Sequence, residues 1–138
     1  KAPSVQLADW PGSVCPDGQT VLNRWAPVLV MRDAVNAALE EARQSKRIGN
    51  PLEAAVRIET DVASSMALAP FATDLPAVFK VSQVEIVGRE GVEGSAIHAQ
   101  PAEGTKCARC WLVRKDVGSD ACYPDLCGRC ASVVSACA

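Results

Sequence analysis

Aromatic residues are scarce in this sequence, at 4% against 49% for hydrophobic residues as a whole. Much of the apolar content is Ala and Val, so the core is thin and a metal cross-link would add usefully to stability. No apolar run approaches the roughly 18 residues of a membrane span, because charges interrupt every stretch. The chain is accordingly read as soluble, with no membrane partner. There is no Met at position 1 and no basic-then-apolar leader, so Lys1 is read as the start of a processed product or of a piece of something longer. Positive charge is not in excess either: the formal net charge of −2 argues against nucleic-acid binding through bulk charge. Cysteine occurs once in the first 106 residues, at Cys15, which excludes a disulfide framework spread evenly along the chain.

What is present suits one compact body with a small appendage, since 138 residues fall within the span of about 100–200 that a single core commonly holds. Residues 1–20, with Pro3, Pro11, Gly12, Pro16 and Gly18, read as loop around a short extended arm at Val5 to Trp10, with Trp10 anchoring the arm on the body. From Val21 to Lys46, Val28, Met31, Val35, Leu39 and Ala42 recur at helical spacing. They predict one long helix with Pro27 near its start, closed by Arg43, Lys46, Arg47 and Gly49. Leu52 to Thr60 alternates like a half-buried strand, and a short helix is expected near Val62 to Leu68 in an otherwise irregular stretch. Val78 to Val87 and Ile97 to Gln100 read as two further strands joined as a hairpin through Gly88 to Gly94. The expected fold is α+β: one long helix on a small, mostly antiparallel sheet, followed by a zinc-ribbon or knuckle unit. The expected division is 1–104 for the body with its arm and 105–138 for the metal unit.

Six of seven cysteines follow residue 106. Among them Cys107 and Cys110, then Cys127 and Cys130, form two Cys-x-x-Cys pairs separated by 16 residues. Two thiolates in one tight turn can meet an ion at about 2.3 Å, and two such turns face to face complete a tetrahedron with no open position. That pattern predicts structural rather than catalytic Zn²⁺, the competing reading being disulfides or redox pairs. Cys122 and Cys137 are spare thiols, Cys122 being close enough in sequence to displace a ligand. Cys15 is expected to be a small buried residue or a thiol without a role. His98 is read as a surface histidine, because four thiolates already fill the shell.

The segment from Lys106 to Cys130 carries five basic residues, Lys106, Arg109, Arg114, Lys115 and Arg129, against three acidic ones, for a charge of +2 beside −4 in the remainder. Those cations can offset thiolate charge, contact an anionic partner, or simply lie solvated. Trp111 is expected to pack on the metal knuckle as a lid, the other role open to it being to stack on a base.

The run Lys106-Cys-Ala-Arg-Cys-Trp111, with Asp116-Val-Gly118 and Leu126-Cys-Gly-Arg-Cys130, resembles the C-terminal zinc-binding segment of bacterial-type and organellar isoleucyl-tRNA synthetases. Upstream, Leu7-Ala-Asp-Trp-Pro11, Met31-Arg-Asp-Ala-Val-Asn36, Ala38-Leu-Glu-Glu-Ala-Arg43, Ile48-Gly49, Leu52-Glu-Ala54 and Val81-Ser-Gln-Val84 follow in that family's order. The resemblance implies zinc on Cys107, Cys110, Cys127 and Cys130, and RNA contact through some of Lys106, Arg109, Trp111, Arg114, Lys115 and Arg129. It also implies what is missing. A class I synthetase uses a His-Ile-Gly-His type motif and a Lys-Met-Ser-Lys-Ser type loop, whereas this chain has one histidine and neither motif, so alone it is not expected to be an enzyme. Before the second cysteine pair, Ala121-Cys-Tyr-Pro124 stands where the family commonly has an acidic or histidine-containing stretch.

Three functional readings follow. The first is a freestanding, non-catalytic RNA-binding module in a ribonucleoprotein such as an organellar ribosome, with structured RNA (rRNA or tRNA) and neighbouring proteins as partners and no small-molecule substrate. Its expected location is the mitochondrion ahead of the chloroplast, with the cytoplasm as the alternative. The second is the anticodon-arm-binding tail of an active isoleucyl-tRNA synthetase. The third is a zinc-stapled scaffold that contacts only protein.

Overall fold

A computed structural model describes residues 4–9, 12 and 17–137. Trp10 and Cys15, for which an anchoring role and a buried or idle thiol were expected, lie outside the described residues. Within the arm, Val5–Leu7 forms a short 3₁₀ turn rather than extended chain, the Leu7 N–H donating to the Ser4 carbonyl at 3.1 Å.

The long helix, α1, runs Gly18–Gln44 and buries the stripe expected of it, Val28, Met31, Val35, Leu39 and Ala42. It begins three residues earlier than its apolar pattern suggests, so Pro27 lies inside it rather than near its start. Gly49 takes no part in its closure. Lys46 adopts the left-handed conformation (φ 57°). Its N–H donates to Arg43 and that of Arg47 to Ala42, at 3.0 and 2.9 Å, a Schellman arrangement built without glycine.

Strand β1 (Ala54–Asp61) alternates buried and half-buried positions along its length. Asp61 then caps α2 (Val62–Leu68), its carboxylate accepting from the Ser64 amide at 2.9 Å. A 3₁₀ turn, Ala69–Phe71, and α3 (Leu75–Phe79) occupy the stretch that reads as irregular in sequence. The strand expected from Val78 starts only at Gln83, because Pro76 opens α3 and Lys80, at φ 57°, closes it in the left-handed conformation. Strands β2 (Gln83–Arg89) and β3 (Ser95–Pro101) complete the sheet.

The sheet order is β2-β1-β3, so the expected β2–β3 hairpin does not form. β1 pairs in parallel with β2 and antiparallel with β3. The cause is visible in burial. Ala54, Val56, Ile58 and Thr60 of β1 are all buried, and the most completely buried strand takes the centre, leaving β2 and β3 as edges. Residues 90–94 therefore cross the end of β1, turning at Gly91 and Gly94, whose φ values of 72° and 85° suit glycine. Thr60, fully buried, is satisfied under this crossing by Ser95 Oγ at 2.8 Å and the Gly94 carbonyl at 3.4 Å.

One face of the sheet packs with α1, α2 and α3 into a single core that includes Ile58, Leu68, Leu75, Phe79 and Val81. Trp25 of α1 leans on Phe71 with ring centroids 4.6 Å apart. On the other face Arg57 and Arg89 bond Glu59, and Arg57 also reaches Glu85. The α+β architecture is thus a long helix on a mixed three-stranded sheet, with a separate cysteine-bearing unit at the C-terminal end.

Candidate metal centre

The C-terminal unit is built on a two-stranded antiparallel ladder, β4 (Thr105–Lys106) and β5 (Val113–Arg114), and a helix, α4 (Gly128–Cys137). The turn between β4 and β5 holds Cys107 and Cys110. Its backbone is fixed by the Cys107 N–H donating to the Leu112 carbonyl at 2.9 Å and that of Trp111 donating to the Cys107 carbonyl at 3.0 Å. The second pair lies at the start of α4, a helix absent from the sequence reading, with Cys127 just before it and Cys130 in its first turn. Its positive end accordingly faces the sulfurs.

Two contacts clamp the turns together. Ala108 N–H donates to the Asp125 carbonyl at 3.0 Å, and Cys127 N–H donates to Cys107 Sγ at 3.4 Å. The Asp116-Val-Gly118 run acquires a physical role here: the Asp116 carboxylate accepts from the Gly128 amide at 3.1 Å, and Gly118 N–H donates to the Leu126 carbonyl at 3.0 Å.

The four Sγ atoms of Cys107, Cys110, Cys127 and Cys130 all lie within 4.8 Å of one another. A tetrahedron with metal–sulfur bonds of about 2.3 Å has edges of about 3.8 Å, and Cys110 Sγ stands 3.8 Å from Cys127 Sγ. That is far beyond the about 2.05 Å of a disulfide, and all four cysteines are unpaired thiols. The donor set, its closure and its spacing fit a zinc ion held structurally, with no position left for water.

Electrostatics agree with a thiolate nest. Burial opposes ionisation of Cys107, but the backbone N–H groups of Cys110, Cys127 and Arg109 outweigh it and bring the thiol down to about 6. Cys110 is pushed up to about 12, first by burial and then by the neighbouring thiols, and burial raises Cys127 as well. Sulfurs this close cannot all ionise without a cation among them. Arg109 contributes one positive group, its Nη1 reaching Cys130 Sγ at 3.9 Å.

The other sequence-selected cations scatter. Lys106 pairs with Glu53 of the body at 2.9 Å, Lys115 with Glu103 at 2.7 Å, and Arg114 with Asp116 at 3.4 Å, while Arg129 is exposed on α4. Trp111 does not form a lid. It is 60% exposed, because its φ of 64° turns the side chain out of the knuckle that Cys107, Cys127 and Cys130 fill with Val117 and Leu126. His98 is exposed on β3 and stands outside the sulfur cluster, as do the exposed Cys122 and Cys137.

Apart from Lys106, which pairs with Glu53, the residues that join this unit to the body carry no signal of that role in the sequence. Ser82 Oγ donates to the Leu52 carbonyl and accepts from the Val113 amide at 2.7 Å. Gln83 Nε2 donates to the Glu103 carbonyl at 2.7 Å. Gly104, at φ 125°, passes so close to the Arg114 carbonyl that an added Cβ would lie 2.5 Å from it. Only Val81-Ser-Gln-Val84, as part of the family resemblance, marked the place.

Residues 104–133 match the family described as the zinc finger found in FPG and IleRS. Beyond that segment, the chain is 40% identical over 98% of its length to isoleucine–tRNA ligase of Syntrophomonas wolfei, and 41% identical over 96% to that of Gloeobacter violaceus. The isoleucine–tRNA ligase of Enterococcus faecalis is 40% identical over 94% of the chain. The chain spans only 14–16% of the length of these relatives. Over almost its whole length, therefore, this protein is similar to a part of isoleucine–tRNA ligases, and its four-cysteine knot lies within the segment that matches the zinc finger found in FPG and IleRS.

Proposed function

We propose that this chain is a non-catalytic, zinc-bearing module that contacts structured RNA, with tRNA as its first partner, in the manner of a synthetase tail. Zinc on Cys107, Cys110, Cys127 and Cys130 is its structural staple. The observation that carries the reading is Trp111: a bulky residue in the left-handed region, its indole held out in water beside a rigid knuckle. Such a conformation is uncommon for large side chains and persists where the surroundings impose it. An exposed indole next to cations is a platform on which an unpaired base stacks. Lys106, Arg109, Arg114 and Lys115 flank it in sequence and, with Arg129 on α4, supply phosphate contacts. The name of the similar proteins, isoleucine–tRNA ligase, points to tRNA.

Binding of the zinc-loaded chain to unmodified isoleucine tRNA, followed by fluorescence anisotropy across a salt series, tests this. Base stacking of about 1–3 kcal/mol predicts that Trp111→Ala weakens binding roughly fivefold to a hundredfold, with affinity falling steeply as salt rises. Affinity indifferent to both salt and Trp111 would end the RNA reading in favour of a protein scaffold.

The same surface would serve a subunit of an organellar ribosome, with rRNA in place of tRNA. Purification of the native assembly separates the two readings: a class I catalytic body in the preparation supports the synthetase tail, and mitochondrial ribosomal particles support the ribonucleoprotein subunit.

A further inference from the structure

The zinc unit does not lie flush on the body. Between them opens a cleft of about 600 Å³ whose lining includes Lys80, Arg114 and Arg129, with Leu52, Pro76 and Leu112 among its apolar surfaces. Among the described residues, three cationic side chains and no carboxylate line it, in a chain with 16 acidic residues and a net charge of −2. The cations come from three separate elements: Lys80 from the end of α3, Arg114 from β5 and Arg129 from the first turn of α4. A single helix face solvated by chance does not produce that convergence. Among the described residues, neither Lys80 nor Arg129 has a carboxylate within ion-pair distance, and Arg114 reaches only Asp116, at 3.4 Å. Like charges gathered on a concave wall repel one another, and an anion relieves the repulsion.

The shape narrows the class of anion. The volume lies within the roughly 300–1,000 Å³ of small-ligand sites. An inorganic anion would leave the apolar surface of Leu52, Pro76 and Leu112 uncovered, and so would a purely acidic peptide, whose carboxylates sit on flexible stems. A nucleotide supplies both parts, a phosphate for the cations and a base for the apolar wall.

We infer that the cleft seats one nucleotide of a single-stranded RNA segment, its phosphate among Lys80, Arg114 and Arg129 and its base against Leu52 and Leu112. The inference rests on the RNA-contact reading above and extends it across the junction, to a body residue that the zinc motif does not contain.

The test uses the zinc-loaded full chain and two probes, a fluorescein-labelled single-stranded RNA heptamer and adenosine monophosphate. The double variant Lys80→Gln, Arg129→Gln binds the heptamer at least tenfold more weakly, and its log–log salt slope is shallower by about 0.7 per cation removed. Arg32→Gln, exposed on α1, leaves both quantities unchanged. Adenosine monophosphate shifts the methyl resonances of Leu112 and Val81 in the unmodified chain, a readout that does not depend on whether the double variant folds. If the unmodified chain binds the heptamer and the double variant binds it equally well, the cleft assignment is overturned while the RNA reading stands. If no RNA binds at all, both fall. Unmoved Leu112 and Val81 methyls, or a polyglutamate peptide that binds through Lys80 and Arg129 where the heptamer does not, also overturn the cleft assignment.

Discussion

Ile58 lies fully buried at the middle of β1, in register with Ile86 on one side and Ile97 on the other. Truncation there removes the central member of the row, and Ile58→Ala is predicted to cost about 2–5 kcal/mol, read from urea unfolding. Asp61 makes a second prediction. Hydrogen bonds from the Ser64 hydroxyl and amide hold its carboxyl below the usual range. A depressed folded pKa contributes stability that is present above the unfolded value, near 3.9, and is lost as pH falls through the folded value. Asp61→Asn keeps the cap but removes that part of the acid dependence, flattening the melting temperature below about pH 4; an unaltered acid limb would show that the cap carries no linkage. Much at this scale was legible. The buried stripe of α1 could be read from spacing alone, because helical periodicity reports directly on which side faces the core. Trp111 and Lys80 could not, since their placement follows from left-handed backbone angles that no side-chain pattern encodes.

Elements were legible where one periodicity governed them and illegible where packing chose between partners. α2 is where its pattern places it, β1 is too except that Leu52 and Glu53, after Pro51, fold as a 3₁₀ turn, and the two Cys-x-x-Cys turns meet as their spacing requires. The β2–β3 hairpin failed because a glycine-bearing connection between two strand-like runs looks the same whether the strands pair or straddle a third; only the deeper burial of β1 decides it. α3 was hidden because Phe79 and Val81 alternate with Lys80 and Ser82 like the start of a strand. The joint between zinc unit and body was equally hidden, since the Ser82 hydroxyl and the Gln83 amide that bridge it carry no periodic signal. Ser82→Ala leaves the half-buried Val113 amide without its acceptor and is predicted to cost about 1–3 kcal/mol. Hydrogen exchange at Val113 measures it, and exchange as slow as in the unmodified chain would mean that another group holds the joint.

At the scale of the whole molecule the described residues form two cores, one between the helices and sheet and one of cysteine sulfur with Val117 and Leu126. Chelation should therefore act unevenly. Stripping zinc is predicted to collapse the amide dispersion of residues 105–137 while α1 and the three-stranded sheet keep theirs, because only the second core depends on the ion. Heteronuclear NMR with and without a chelator decides it: an unaltered zinc unit would remove the metal as its fold determinant. Since four thiols release protons on binding the ion, acidification drives the same loss, and bound zinc per chain falls as pH drops below neutrality.

The crossing of residues 90–94 over the end of β1 has a bearing on folding and exchange. With neighbours bonded along both of its sides, β1 cannot shed its amide protons by fraying from an edge; it must wait until the sheet comes apart. Its amides are thus expected to be the slowest to take up deuterium, and neither flanking strand can assemble before the middle one is in place.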